Sequence, residues 1–205
     1  MKWDVAMGDR CVSVIVIADD DYNLGKLPES NADLLISLGD LYDSTIEKVQ
    51  QLYSCSKVLA VRGNHDFPDP FPDTIDDLHA GIIEYKGITF GGFSGSWKYK
   101  SRGHYLYKQN EVRDILKDFP PVDVFVAHNS PRGIHQRDND IHQGFDAFIE
   151  YIERTQPLYF LHGHQHFNAE SMLGNTKIIG VYGETLLSIG YWNNAAQNSG
   201  VSLRR

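Results

Sequence analysis

The chain has 205 residues, a formal net charge of −8, and 41% hydrophobic against 22% charged residues, which is ordinary globular composition for one sizeable domain over residues 1–205. An excess of carboxylates argues against non-specific binding to nucleic acid or anionic membrane, because phosphate backbones are held by surplus Lys and Arg. The opening MKWDVAMGDR lacks the apolar core of a signal peptide, and no stretch approaches the ~18 apolar residues of a membrane span, so a soluble, cytoplasmic protein with no membrane partner is expected.

Short apolar runs bounded by turn residues recur along the chain. Val12–Ala18, Ala32–Leu38, Val58–Val61, Ile82–Tyr85, Ile88–Phe93, Val122–Ala127, Leu158–Leu161, Ile178–Tyr182 and Leu186–Ile189 have the length and the Val/Ile/Phe/Tyr content of strands. Ser44–Tyr53 begins Ser-Thr-Ile-Glu, which fits a helix capping box, while Asn110–Phe119 and Gln143–Thr155 carry apolar residues at helical spacing. Strands alternating with helices in the first half predict a parallel sheet, and the Gly-rich region around Ile82–Gly95 predicts antiparallel pairing, giving an α/β or mixed α+β class. Tyr22–Ser30 and the Pro-rich Phe67–Thr74 read as loops, with Phe67–Thr74 rigid. Cys11 and Cys55 are too few for a disulfide framework, have no CxxC spacing, and are read as reduced thiols.

The chemistry sits where strands end. Val12–Ala18 runs into Asp19-Asp20-Asp21, Ala32–Leu38 into Gly39-Asp40-Leu41-Tyr42-Asp43, and Val58–Arg62 into Gly63-Asn64-His65-Asp66. Val122–Ala127 ends on His128-Asn129, and Leu158–Leu161 on His162-Gly163-His164-Gln165-His166. In open α/β sheets the carboxyl ends of the strands form the ligand crevice, so residues far apart in sequence converge there. Asp, Asn and His without thiolate suit Mn, Fe, Zn, Ni or Co. In an extended segment His164 and His166 project to one side, as do Asp19 and Asp21, with Asp20 facing away to solvent. His162 is read as structural, and His79 as a surface residue. Ser96–Lys108 mixes cations with aromatics, a pattern that fits substrate contact but also one face of a hairpin. The loop after His128 offers Arg132, His135 and His142 as candidate substrate contacts; Arg132 and His135 are preferred.

These blocks, in this order, resemble the calcineurin-like metallophosphoesterases, whose signature is D-x-H, GD-x-x-D, GNH[DE], a lone His and GH-x-H. The resemblance covers Asp19 to His166 and implies a four-layer α/β/β/α sandwich. It also implies two divalent metal ions, Mn first, with Fe, Zn, Ni, Co or Mg as alternatives. Carried over by position, Asp19, Asp40 and His166 hold the first ion, and Asp40, Asn64, His128 and His164 the second. His65 stands near the leaving group, with Asp43 as its carboxylate partner. The chain departs from the signature at Asp21, where the family has His; a carboxylate there is harder and anionic, and tilts preference toward Mn, Mg or Fe.

The implied reaction is hydrolysis of a phosphomonoester or phosphodiester. Two cations roughly 3.5–4 Å apart lower the pKa of a shared water and neutralise phosphoryl charge, and His65 protonates the leaving group. The acidic charge favours a small or nucleotide-like ester over long nucleic acid. The rival reading is a non-catalytic interaction scaffold on the same fold, as in the retromer complex, with Asp21 marking a degraded site. Oligomeric state is not legible.

Overall fold

A computed structural model describes residues 11–28 and 31–190. The readings of residues 1–10, and of the last two residues of the Tyr22–Ser30 loop, lie outside the described residues.

In chain order the elements begin with β1 (Cys11–Ala18), β2 (Leu34–Ser37), α1 (Asp43–Leu52), β3 (Lys57–Ala60), β4 (Asp76–Asp77), β5 (Ile82–Tyr85) and β6 (Ile88–Phe93). They continue with β7 (Ser96–Trp97), β8 (Leu106–Tyr107), α2 (Gln109–Leu116), β9 (Val124–Ala127) and α3 (Asp146–Thr155). β10 (Tyr159–His162), β11 (Ala169–Leu173), β12 (Thr176–Gly180) and β13 (Gly183–Gly190) complete them. One sheet has the order β13-β1-β2-β3-β4, and a second the order β11-β12-β10-β9-β6-β5. β1, β2 and β3 run parallel, as do β6, β9 and β10, whereas β13 pairs antiparallel to β1 and β5 to β6. The antiparallel hairpin expected around Ile82–Gly95 is therefore present.

The period-two alternation of the strands builds the layers. Val14, Val16 and Ala18 of β1 join Leu34 and Ile36 in one apolar cluster, which also contains Phe90, Val124, Val126 and Leu161 from the second sheet. That cluster fills the space between the sheets. The odd-numbered neighbours Ile15 and Ile17 face the other way, onto Ile46 and Val49 of α1. Phe125 and Phe160, on the outer face of the second sheet, pack with Val112 and Leu116 of α2 and Phe148, Tyr151 and Ile152 of α3. The order helix, sheet, sheet, helix is the expected α/β/β/α sandwich. A central strand buried on both faces explains why β1 reads as a continuous apolar run rather than an alternating one.

Some local expectations change. α1 starts one residue before Ser44: its N-cap is Tyr42, no side chain caps it, and Asp43 in its first turn is turned instead to Arg62. β7 and β8 pair in parallel, so Ser96–Lys108 is not a hairpin, and Trp97 and Tyr107 pack against the second sheet's outer core. His79 is half-buried, accepts the Ser94 N–H at 3.1 Å and lies 5.0 Å from the Phe93 ring, so it is a packed residue rather than a surface one.

Candidate metal centre

The C-terminal ends of β1, β2 and β3 meet those of β9 and β10 at one edge of the two sheets. The seam is stitched by main chain and side chain together. His128 Nδ1 meets the Leu38 carbonyl at 2.8 Å across the sheets, the Gly163 N–H donates to the His128 carbonyl at 2.9 Å, and the His164 N–H to Asp19 Oδ2 at 2.9 Å. Asp40 Oδ1 accepts the His65 N–H at 2.8 Å.

Glycines let these groups come so close. A Cβ on Gly63 would stand 2.0 Å from Asp40 Oδ1, and one on Gly163 would stand 2.7 Å from Asp19 Oδ2. The GN and GH pairs are therefore spaces reserved for carboxylates, beyond any freedom of turn.

The extended geometry expected at both ends is absent. Asp19 (φ 62°), Asp40 (φ 55°), His164 (φ 64°) and His166 (φ 55°) all sit in the left-handed region. Asp and His tolerate it better than most residues, yet each costs on the order of 1 kcal/mol, which neighbouring hydrogen bonds must offset. Asp19 and Asp21 are thus not brought together by strand alternation. Asp20, as expected, is a surface group that accepts the Tyr22 and Asn23 N–H groups.

Asp40, His128 and His164 bring one ligand atom each to within 4.8 Å of one another. Asn64 Oδ1 stands 3.2 Å from His128 Nε2, and His166 Nε2 lies 3.7 Å from Asp19 Oδ1. Asp19 Oδ1 is buried and, among the described residues, meets no hydrogen-bond donor. A buried carboxylate oxygen without a donor is costly, and a cation satisfies it. The donor set is oxygen and imidazole nitrogen, as divalent ions of borderline or hard character require. With its Nδ1 on a backbone carbonyl, His128 turns Nε2 inward, and His164 uses Nε2 toward the Ile141 carbonyl at 3.3 Å, leaving Nδ1. Outer hydrogen bonds of this kind orient metal-binding imidazoles. The residues fit a metal.

The electrostatics carry the same sign. Burial pushes the Asp19 carboxyl from 3.8 up to about 7; Asp40 and Asp66 add to the rise, while His128 and the His164 N–H oppose it. Burial acts to lower His128, but Asp40 and Asp19 overcome it and its pKa is raised. Burial and the neighbouring His128 hold His164 well below the ordinary range. Asp19 and His128 are thus both shifted toward their protonated forms in the metal-free site.

The other expected site residues divide. Asp21, Asp43 and His65 line one cleft of about 450 Å³ together with Asp40 and Arg62. Asp21 Oδ1 accepts the Tyr42 N–H at 3.1 Å, which holds it at the cleft wall. Asp43, assigned above to His65, gives both oxygens to Arg62, at 2.5 and 3.1 Å. The Arg62 guanidinium lies 3.5 Å from the Phe71 ring centroid, so the Pro-rich loop is its lower wall. His135 is also spent elsewhere: its Nδ1 meets His162 Nε2 at 2.9 Å and its Nε2 meets Ser171 Oγ at 2.8 Å. His162 is fully buried, and that burial carries it down to about 3, in keeping with a structural role. Arg132 faces Asp146 at 3.4 Å.

Sequence reading gave no role to two contributors, Asp66 and Arg137, and offered a third, His142, only as a substrate contact. Asp66 accepts the Asp40, Leu41 and Gly63 N–H groups at 3.0, 3.1 and 2.7 Å, tying the second motif to the third. His142 packs against His164 and His166, with ring centroids 5.0 and 5.9 Å apart. Arg137 stands close enough that its positive charge lowers both His142 and His166, in each case after burial. Asp66 had a signal as the last residue of the GNH[DE] block, and His142 one as a histidine in the loop anchored by His128.

A profile of the calcineurin-like phosphoesterases matches residues 18–168. The chain belongs to this family. It is 28% identical over 127 residues to a lariat debranching enzyme of Danio rerio, a match covering 46% of this chain but 22% of that protein. It is 24% identical over 190 residues to the UPF0046 protein K07C11.7 of Caenorhabditis elegans, covering 78% of this chain and 65% of the relative. Of solved structures, TT1561 of Thermus thermophilus superposes with a TM-score of 0.58 at 14% identity, covering 87% of this chain and 98% of that one. The phosphopantetheinyl hydrolase PptH of Mycobacterium tuberculosis superposes with a TM-score of 0.56 at 13% identity, over 83% of this chain and 89% of the other. These likenesses establish the family fold; among the described residues no helix is long and apolar enough to cross a membrane.

Proposed function

We propose that the chain hydrolyses a small or nucleotide-like phosphomonoester or phosphodiester in a metal-dependent reaction. The observation that carries this is the convergence of Asp40, His128 and His164, from three strand ends on two sheets, within 4.8 Å. Asp40, Asn64, His128 and His164 would hold one divalent ion, and Asp19, Asp40 and His166 a second, with Mn the first choice and Asp21 beside them. When bound, such ions make water nucleophilic at neutral pH and neutralise charge on phosphoryl oxygens.

The protein's own groups do the rest. His65, exposed on the cleft wall with its N–H fixed to Asp40, donates the proton to the departing oxygen. Asp43 and Arg62 form the floor beside it, their charges mutually cancelled, so they shape the leaving-group side without competing for the phosphate. Arg137 supplies positive charge beside His142 and His166 and would anchor a phosphoryl oxygen. Arg132 and His135, with Asp146 and His162 as partners, are better suited to holding the loop than to meeting substrate.

The test is hydrolysis of mono-, di- and cyclic phosphoesters by the purified chain, first stripped with chelator and then supplied with Mn, Mg, Fe, Ni or Zn. Turnover restored by a divalent ion and lost in Asp40→Ala supports the reading. No turnover with any ion on any ester refutes it and leaves the interaction scaffold.

A further inference from the structure

We infer that His142 is an additional metal ligand, supplying from the loop after β9 the imidazole that Asp21 replaces in the first motif. The inference rests on the metal-dependent reading above and concerns the ions held between His164 and His166, the two motif histidines whose rings His142 lies against.

The tautomer of His142 follows from its neighbour. Asn139 Oδ1 accepts the Ile141 N–H at 3.1 Å and the His142 N–H at 3.0 Å, so this atom is an acceptor and the amide cannot be reversed. His142 Nδ1, 2.7 Å from the same oxygen, therefore donates to it. In the neutral ring the lone pair is left on Nε2, the state a metal-binding histidine requires. An Nδ1–H held by an oxygen acceptor is also the usual outer support of such a ligand.

The ring's position agrees. Two imidazoles bound to one ion at ~2.0–2.1 Å per nitrogen have ring centroids about 4.5 to 5.2 Å apart at right or tetrahedral angles, and further apart as the angle opens. His142 lies 5.0 Å from His164 and 5.9 Å from His166 by this measure, and His128 lies 4.9 Å from His164. The imidazoles of His128, His164, His142 and His166 thus form a continuous row, and His142 belongs to it as closely as the motif histidines do.

The loop is built to keep it there. Gln165, between the two histidines of GH-x-H, is 1% exposed. Its Oε1 accepts the Arg137 N–H at 3.0 Å, and its Nε2 donates to the His142 carbonyl and to Ser130 Oγ, each at 3.0 Å. The turn that aims His164 and His166 therefore also clamps the segment carrying His142. His164 adds a contact of its own to the Ile141 carbonyl.

The experiment is a Co²⁺ titration of the chelator-stripped full chain against a chromophoric competitor, with the visible spectrum of the bound ion recorded. Wild type, His142→Ala, Asn139→Ala and Asp21→Ala are compared. His142→Ala should weaken one of two Co²⁺ affinities by about 10- to 100-fold and alter that ion's spectrum. Asn139→Ala, which keeps the ring but frees it, should weaken the same affinity by less. Should His142→Ala fail to fold, as judged by the thermal melt of the stripped protein, Asn139→Ala reads the same ion alone. Affinities and spectrum unchanged in both variants, or the loss confined to Asp21→Ala, would overturn the inference. Ester hydrolysis by wild type is measured in parallel: turnover with unchanged His142→Ala affinities sinks this inference only, whereas no uptake of Co²⁺ by wild type sinks both.

Discussion

Replacing Asp19 by asparagine separates stability from function at the centre of the site. The Asp19 side chain is fully buried, and its carboxyl rises from 3.8 to about 7 in the metal-free chain. A carboxylate whose folded pKa is raised favours the protonated form on folding. The metal-free protein is therefore most stable, as far as this group is concerned, below pH ~4, loses that stability as pH climbs to about 7, and is flat above. At about 1.36 kcal/mol per pKa step, the loss reaches ~4 kcal/mol as an upper bound. The substituted amide carries no charge, its oxygen can still accept the His164 N–H, and its nitrogen occupies the place of the unpaired Oδ1. Asp19→Asn should thus be more stable than wild type in chelator at pH 8, by about 1–4 kcal/mol, and the two should converge near pH 4. Urea unfolding at several pH values, with and without Mn²⁺, is the assay. Mn²⁺ should stabilise wild type and do much less for the variant, since mass action stabilises only what binds. A variant weaker than wild type at pH 8 in chelator, or a gap that ignores pH, would refute the reasoning.

His65→Ala should lower hydrolysis of alkyl phosphoesters by about 10²- to 10⁴-fold while sparing activated aryl esters, whose leaving group needs no proton; equal losses on both would remove His65 as the acid. Asp43→Ala leaves the Arg62 guanidinium, 6% exposed in its side chain, without its partner; a loss of about 2–3 kcal/mol is expected, somewhat below the ~3–5 of a fully buried pair, read as a lower urea midpoint. An unchanged midpoint would mean that Arg62 finds compensation from the Asp69 carbonyl or Tyr105. Gly63→Ala drives a methyl into Asp40, 2.0 Å from Oδ1, and should lower Mn²⁺ affinity about 10-fold or more by calorimetry, whereas Gly81→Ala, at a glycine away from the site whose Cβ would meet nothing closer than 3.7 Å, should leave it unchanged.

Much of the layer order was legible because burial writes itself into strands with a period of two. Val14 and Val16 face one core and Ile15 and Ile17 the other, so a run apolar at every position announces a strand covered on both sides. β4, β7 and β8, at two residues each, carry no such signal, and their pairing is decided by where long loops happen to land. β11 reads Ala-Glu-Ser-Met-Leu, half-exposed at the sheet edge, and offers too little apolar contrast to be told from a loop. The site divides along the same line. Which residue types close each strand is a property of the sequence, but where their side chains point depends on φ, which is positive at Asp40 and, against the extended geometry expected there, at Asp19, His164 and His166. Alternation across an extended segment therefore cannot decide whether Asp21 stands beside Asp19. Partners drawn from loops are harder still: Arg62 precedes its glycine by one place and looked like the end of a strand, yet it captures Asp43, while His142 is brought to the ligand histidines by a bracket on Gln165. Reading Asp21 as a lost imidazole treats the first motif in isolation; in the folded chain, the question is whether the donor set as a whole keeps its nitrogen count, and His142 stands where that count can be restored.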